Sequence, residues 1–148
     1  MSDYMDQPDI IDILLIEDNS DEVGLISKII DVKEWNVNFN IVNDGIEAMN
    51  YLHKKGKYYD CVKPSLILLD LNLPKKNGSE VLKEIKTDDI LKCIPVIVLT
   101  SSDDDNDIIE SYGHHANAYI IKPPDFDMFE KYILIFKDFW FNSAKLPK

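Results

Sequence analysis

Four large apolar residues, Leu66, Ile67, Leu68 and Leu69, run straight into a carboxylate at Asp70, and Leu71-Asn72-Leu73-Pro74 ends the run. A short unbroken apolar run bounded by turn signals is the pattern of a strand covered on both faces, as in a parallel sheet. Asp70 then falls at the carboxyl end of that strand, on the rim where open α/β sheets bind ligands. An acid is costly to bury alone, so the rest of the chain must bring it a metal, a lysine or hydrogen-bond donors.

The chain around this run alternates strand and helix. Residues 10–16 form a second apolar run, and it also closes on acids, Glu17 and Asp18. Asn19-Ser20-Asp21 supplies helix-capping chemistry, followed by Val23, Ile26 and Ile30, with Leu25 and Ile29, at helical spacing. Residues 37–42 alternate apolar and polar, as an edge strand does, and Asn43-Asp44-Gly45 reads as a turn. Ile46, Met49 and Leu52 predict a helix ending near Gly56. Ser79 is positioned to cap a helix carrying Val81, Leu82 and Ile85. Pro95 to Leu99 is a buried strand running into Thr100, residues 103–112 are an acidic helix with Ile108 and Ile109 to bury, and Ala118 to Ile121 is a last strand ending at Lys122-Pro123-Pro124. Asp125 caps a final aromatic-rich helix.

Strand then helix, five times over, predicts an α/β fold: a doubly wound parallel sheet with helices on both faces. Right-handed crossovers make the flavodoxin-like (βα)5 order 2-1-3-4-5 the expected topology. The 148 residues suit one domain, 1–148, with residues 1–8 as a flexible tail and 137–148 as an extension of the last helix. The net charge of -11 argues against a nucleic-acid partner, which would need clustered Lys and Arg. Cys61 and Cys93 have no CxxC spacing and are expected to be buried or inert, consistent with a reducing cytoplasm. The acidic start is unlike a signal peptide, and no apolar run has the length of a membrane span.

All strand carboxyl ends lie on one rim of a parallel sheet, so Glu17, Asp18, Asp70, Thr100 and Lys122 can converge. Crowded carboxylates repel, and a hard cation bound through oxygen relieves them, Mg²⁺ being one that keeps several waters. Lys122 brings a point charge suited to phosphate oxygens, and Thr100 a hydroxyl able to bond a phosphoryl oxygen. Acid, cation, ammonium and hydroxyl together fit phosphoryl transfer with an aspartate nucleophile and an acyl phosphate product.

Leu14-Leu15-Ile16-Glu17-Asp18-Asn19, Leu68-Leu69-Asp70-Leu71-Asn72-Leu73-Pro74 with Asn77-Gly78, Val98-Leu99-Thr100 and Ala118-Tyr119-Ile120-Ile121-Lys122-Pro123 occur in this order. They resemble the response-regulator receiver domain of two-component signalling, over residues 9–136. The tail narrows the resemblance to stand-alone regulators paired with phytochrome-like sensor kinases. The resemblance implies that Asp70 accepts a phosphoryl group from a histidine kinase. It implies Mg²⁺ (or Mn²⁺) held by Asp18, Asp70 and the Asn72 backbone carbonyl, with Glu17 acting through water. It implies that Thr100 and Tyr119 form the switch, that Lys122–Pro123 is cis, and that the output is a downstream protein. No enzyme activity is implied beyond self-catalysed phosphoryl transfer and autodephosphorylation. The chain departs from many such domains at Pro124, a second proline, and at Lys75-Lys76 after Pro74.

Two other readings compete. A receiver-like docking module would ignore phosphorylation, and the intact acids, threonine and lysine argue against it. An aspartyl-phosphate phosphatase needs a second Asp two residues on as general acid, where this chain has Asn72. Elsewhere, His114-His115 lacks a third ligand at metal spacing, and Asp103 to Asp107 lacks the Gly and distal Glu of a calcium loop. In the last helix, Phe126, Phe129, Ile133, Phe136 and Trp140 form one stripe, while Met128, Tyr132, Ile135 and Phe139 form a second. One stripe covers the sheet; the second predicts a homodimer, unless Phe139-Trp140-Phe141 folds back over its own core.

Overall fold

A computed structural model describes residues 10–147 of the chain; the expected flexible tail, residues 1–8, lies outside the described residues. Five strands, β1 (Ile11–Ile16), β2 (Val37–Val42), β3 (Leu66–Leu69), β4 (Val96–Thr100) and β5 (Ala118–Ile121), alternate with five helices. The helices are α1 (Ser20–Lys33), α2 (Gly45–Leu52), α3 (Gly78–Thr87), α4 (Asp105–Gly113) and α5 (Phe126–Lys137). The sheet is parallel throughout, in the order β2-β1-β3-β4-β5. This is the flavodoxin-like arrangement expected from the sequence.

The unbroken apolar runs follow from the two-sided burial. Side chains alternate along a strand, so Ile13 and Leu15, Leu66 and Leu68, and Ile97 and Leu99 meet α1 and α5 through Ile26, Ile29, Ile30, Phe129, Ile133 and Phe136. Their neighbours Leu14, Ile16, Ile67, Leu69, Val96 and Val98 meet α2 and α3 through Ala48, Met49, Leu52, Val81, Leu82 and Ile85. Both faces bury apolar surface, which stabilises at about 25 cal/mol per Å². Register then sets the rim: Ile16 lies opposite Val42 and Leu69, Leu69 opposite Val98, and Thr100 opposite Ile121. Residues just past those positions share one edge.

Several local expectations are corrected. The N-cap of α3 is Asn77, whose side chain accepts from the Glu80 N–H, rather than Ser79. Helix α2 stops at Leu52, because Lys54 turns left-handed at φ 56° and closes the chain before Gly56 is reached. Ile46 and Ile109 are exposed, and in α4 Ser111 is the buried residue. A short helix lying over a sheet edge hides only a narrow line of side chains. Phe126 is exposed at the start of α5, while Phe129, Ile133 and Phe136 cover the sheet. After α5 a π-helical turn, Asp138–Ser143, brings Phe141 back against Trp35, with ring centroids 5.8 Å apart, and against Phe136 at 6.3 Å. The tail thus partly folds home, yet Met128, Ile135 and Phe139 stay exposed. No described peptide bond is cis, so Lys122–Pro123 adopts trans, the lower-energy form. Cys93 is exposed rather than buried, and Cys61 is half-buried. Among the described residues no helix is long and apolar enough to cross a membrane.

Candidate functional site

The residues at the strand ends converge. Glu17 leaves β1 with its N–H bonded to the Val42 carbonyl at 3.0 Å, and the Asp70 N–H bonds the Ile16 carbonyl at 3.0 Å. Lys122 leaves β5 with its N–H bonded to the Thr100 carbonyl at 2.7 Å. These backbone bonds continue the sheet ladder by one residue, so the side chains are aimed by the sheet itself. Glu17 and Asp70 are buried at 1% and 6% exposure, and Asp18 beside them is exposed. Oxygens of Glu17, Asp18 and Asp70 all lie within 4.8 Å of one another.

The Lys122 ammonium sits among these acids. Its Nζ donates to Glu17 Oε1 at 2.6 Å and to Asp70 Oδ2 at 3.1 Å, and its third contact is Glu22 Oε2, from the first turn of α1. The other Asp70 oxygen, Oδ1, accepts from the Asn72 N–H at 3.1 Å. Burial pushes the Glu17 carboxyl up, hydrogen bonding with Asp70 adds to it, and Lys122 pulls the other way; the result is a pKa raised to about 8. Burial would raise Asp70 too, but hydrogen bonds with Glu17 and Asn72 and the Lys122 charge hold it below its ordinary value. Burial thus weighs against the charged form at Glu17, while the surrounding donors favour it at Asp70. Burial lowers the Lys122 pKa, but bonds to Glu17 and Glu22 and the Asp70 charge outweigh it and raise it, so the ammonium stays charged.

The donor set is all oxygen, with two carboxyl groups buried and one at the mouth, which fits a hard divalent cation such as Mg²⁺ or Mn²⁺. Nothing in the set suits a softer metal, and His114 lies elsewhere, near Glu110 of α4 at 3.9 Å. Asp104, in the acidic run, caps α4 by accepting from the Asn106 and Asp107 N–H groups.

Thr100 is fully buried, and among the described residues its hydroxyl has no hydrogen-bond partner. A buried polar atom left unpaired costs about 1–3 kcal/mol. Replacing Thr100 with the near-isosteric Val is expected to raise stability by about 1 kcal/mol, read as a higher urea midpoint at unchanged slope. A lower midpoint would mean that the hydroxyl has a partner after all. Tyr119, half-buried on β5, donates its hydroxyl to the Ser102 carbonyl at 2.9 Å, just past Thr100, and its backbone N–H reaches the Tyr112 hydroxyl at 3.2 Å. Thr100 and Tyr119 thus flank one loop.

Sequence reasoning placed Glu17, Asp18, Asp70, Thr100 and Lys122 on one rim; the structure brings the Glu17, Asp18 and Asp70 carboxyls and the Lys122 ammonium together, with Thr100 at the end of β4 opposite Ile121. It missed Glu22. An acid in the first turn of a helix is explained by the macrodipole alone, so nothing marked Glu22 as a partner of a lysine 100 residues away.

The comparisons agree with this geometry. The family model for the response regulator receiver domain matches residues 13–134. Response regulator Rcp1 of Synechocystis sp. is 40% identical over 147 residues, 99% of each chain. Among solved structures, the phosphorylated cyanobacterial phytochrome response regulator RcpA superposes with a TM-score of 0.91 at 42% identity, over 95% of this chain and 100% of that one. The Mn²⁺-bound form of Rcp1 does so with a TM-score of 0.90 at 40% identity, over 93% and 99%. With a family match that begins inside β1 and ends within α5, this chain belongs to the response regulator receiver domain family.

Proposed function

We propose that the chain is a single-domain response regulator that takes a phosphoryl group from a sensor histidine kinase onto Asp70 and then changes a protein-binding surface. One observation carries the reading: a single ammonium, Lys122, bridges Glu17 and Asp70 at 2.6 and 3.1 Å in a pocket shared with Asp18. An Asp70 oxygen attacks the phosphorus of a phosphohistidine, the P–N bond breaks, and the imidazole leaves with its electron pair and takes up a proton. The product is an acyl phosphate. Asp18, Asp70 and the Asn72 carbonyl would hold the cation, with Glu17 acting through water; when bound it would neutralise charge on the phosphoryl oxygens. Lys122 supplies the remaining positive charge.

The phosphoryl oxygens give the unpaired Thr100 hydroxyl an acceptor. As Thr100 moves inward, the loop through Ser102 moves with it, and Tyr119 loses its present anchor. Two populations of the α4–β5–α5 face result, one favoured by the phosphoryl group. The exposed Met128, Ile135 and Phe139 on and after α5 suit a second copy of the chain. The likeness to Rcp1 and RcpA favours a phytochrome-like kinase as donor and a cytoplasmic setting. The acid surplus leaves a protein, not nucleic acid, as the downstream target.

Incubation with acetyl phosphate and Mg²⁺ is expected to add one phosphoryl mass to the intact protein, with EDTA abolishing the gain. An unchanged mass with Mg²⁺ present would leave only the docking-module reading.

A further inference from the structure

We infer that Glu22 is a positioning residue for phosphoryl transfer: it occupies the Lys122 donor that the phosphoryl group must take. The inference rests on Asp70 being the phosphoryl acceptor. An ammonium has three N–H donors, and Lys122 has spent all of them, on Glu17, Glu22 and Asp70. Its side chain is 6% exposed. An incoming phosphoryl oxygen therefore gains Lys122 only by displacing a carboxylate.

The three partners are not equally displaceable. Glu17 is 1% exposed and fixed at the end of β1, with its second oxygen accepting from the Asn19 N–H at 3.3 Å. Asp70 is the acceptor itself and must stay. The Glu22 side chain is 28% exposed. Its backbone is pinned, because its N–H donates to the Asn19 Oδ1 cap at 3.2 Å, but its carboxylate can swing into water by side-chain rotation alone. It thus yields at the least cost. In the resting pocket Glu22 stands where a phosphoryl oxygen will stand, an anionic oxygen on the same N–H.

This arrangement makes Glu22 a competitor. While in place it withholds one N–H of the ammonium from any other anion. When the phosphoryl group arrives, the loss of the Glu22 contact subtracts from what Lys122 contributes. Glu22 touches the lysine and not the reacting atoms, so it positions and does not itself catalyse.

The test measures the rate of acetyl phosphate labelling by intact mass, with Mg²⁺ saturating, for wild type, Glu22→Gln and Glu22→Asp. Asp keeps the charge but is one methylene short of the ammonium. Both variants are expected to label roughly five- to tenfold faster, the size of a lost charge-assisted competitor, with the gain in the maximal rate rather than in donor affinity. In a Lys122→Ala background the Glu22→Gln change is expected to have no effect on the rate. Faster labelling by Gln but not Asp would mean through-space repulsion of the donor, and would overturn the inference. So would equal rates in all three, or a Gln effect that persists without Lys122. Absence of label in the wild type would instead defeat the receiver reading beneath it.

Discussion

Asp70→Asn is expected to bring phosphoryl incorporation below detection while the protein stays folded. The loss is absolute because an amide is no nucleophile toward phosphorus at neutral pH, and no neighbouring carboxyl replaces it. Glu17 is buried, and its pKa is raised to about 8 by burial first. Asp18 is on the exposed mouth. Stability should change little. Asn Oδ1 keeps the acceptor role toward the Asn72 N–H, now 3.1 Å away, and the amide nitrogen, standing in for Oδ2, gives up the Lys122 bond while Glu17 and Glu22 still hold that ammonium. Relieved of the neighbouring anion, Glu17 ionises more readily and keeps Lys122 paired. The melting temperature is expected to shift by no more than a few degrees, since one neutralised acid in a crowded acid pocket costs about 1 kcal/mol or less. Acyl phosphate formed on the folded variant would show that another residue is the acceptor. A variant that melts early would show that the Asp70 charge is structural.

The pocket illustrates why no single group in it acts alone. Three carboxyl groups, Glu17, Glu22 and Asp70, share one ammonium, and a fourth, Asp18, lies beside two of them. At about 4 Å and an effective dielectric constant near 20, each uncompensated pair of like charges costs about 4 kcal/mol. The protein reduces that cost by raising the Glu17 pKa and exposing Asp18. A divalent cation removes it more completely, which is why the same acids that strain the resting pocket suit the reaction.

How far the sequence speaks depends on what decides each feature. The strands were legible because burial on two faces demands runs such as Leu66 to Leu69, and few other structures tolerate them. The rim was legible because parallel strands put their carboxyl ends together, so Glu17, Asp70, Thr100 and Lys122 followed from counting to the end of each run. Helix faces were less so. Ile108 and Ile109 looked like the buried pair of α4, yet Ser111 is the residue inside. The axis of a short helix is set by its neighbours, and its sequence does not record that. The end of α2 was misplaced because Lys54, not Gly56, makes the left-handed exit. Glu34 does the same after α1, at φ 54°. The return of Phe141 onto Trp35 depends on a π-helical turn, which has no local signature. Glu22 was invisible because its partner is far along the chain.

Gly78→Ala is expected to cause a large loss of stability, while Gly24→Ala is expected to stabilise the protein. The chemical change is the same, so only the surroundings can set the sign. A Cβ on Gly78 would lie 2.4 Å from the Asp70 carbonyl oxygen and 2.5 Å from the Leu71 Cα. Both are backbone atoms of the segment that carries the Asp70 carboxyl, and the Gly78 N–H is itself bonded to the Leu71 carbonyl at 3.0 Å. Neither can rotate away, so the β3–α3 loop must open. Overpacking costs about 1–3 kcal/mol where side chains can adjust, and here they cannot. A loss of about 3 kcal/mol lowers the melting temperature by roughly 6–12 °C in a chain of this size. Gly24, exposed on α1, has nothing within 4 Å of its would-be Cβ. Alanine there gains up to about 1 kcal/mol of helix propensity. Thermal melts of the two variants decide the matter, and acetyl phosphate labelling at a temperature where both are folded shows whether the Asp70 segment has moved. Equal melting of wild type and Gly78→Ala would mean that the loop after β3 does not pass where α3 begins, and the path that places Asp70 beside Lys122 would have to be redrawn.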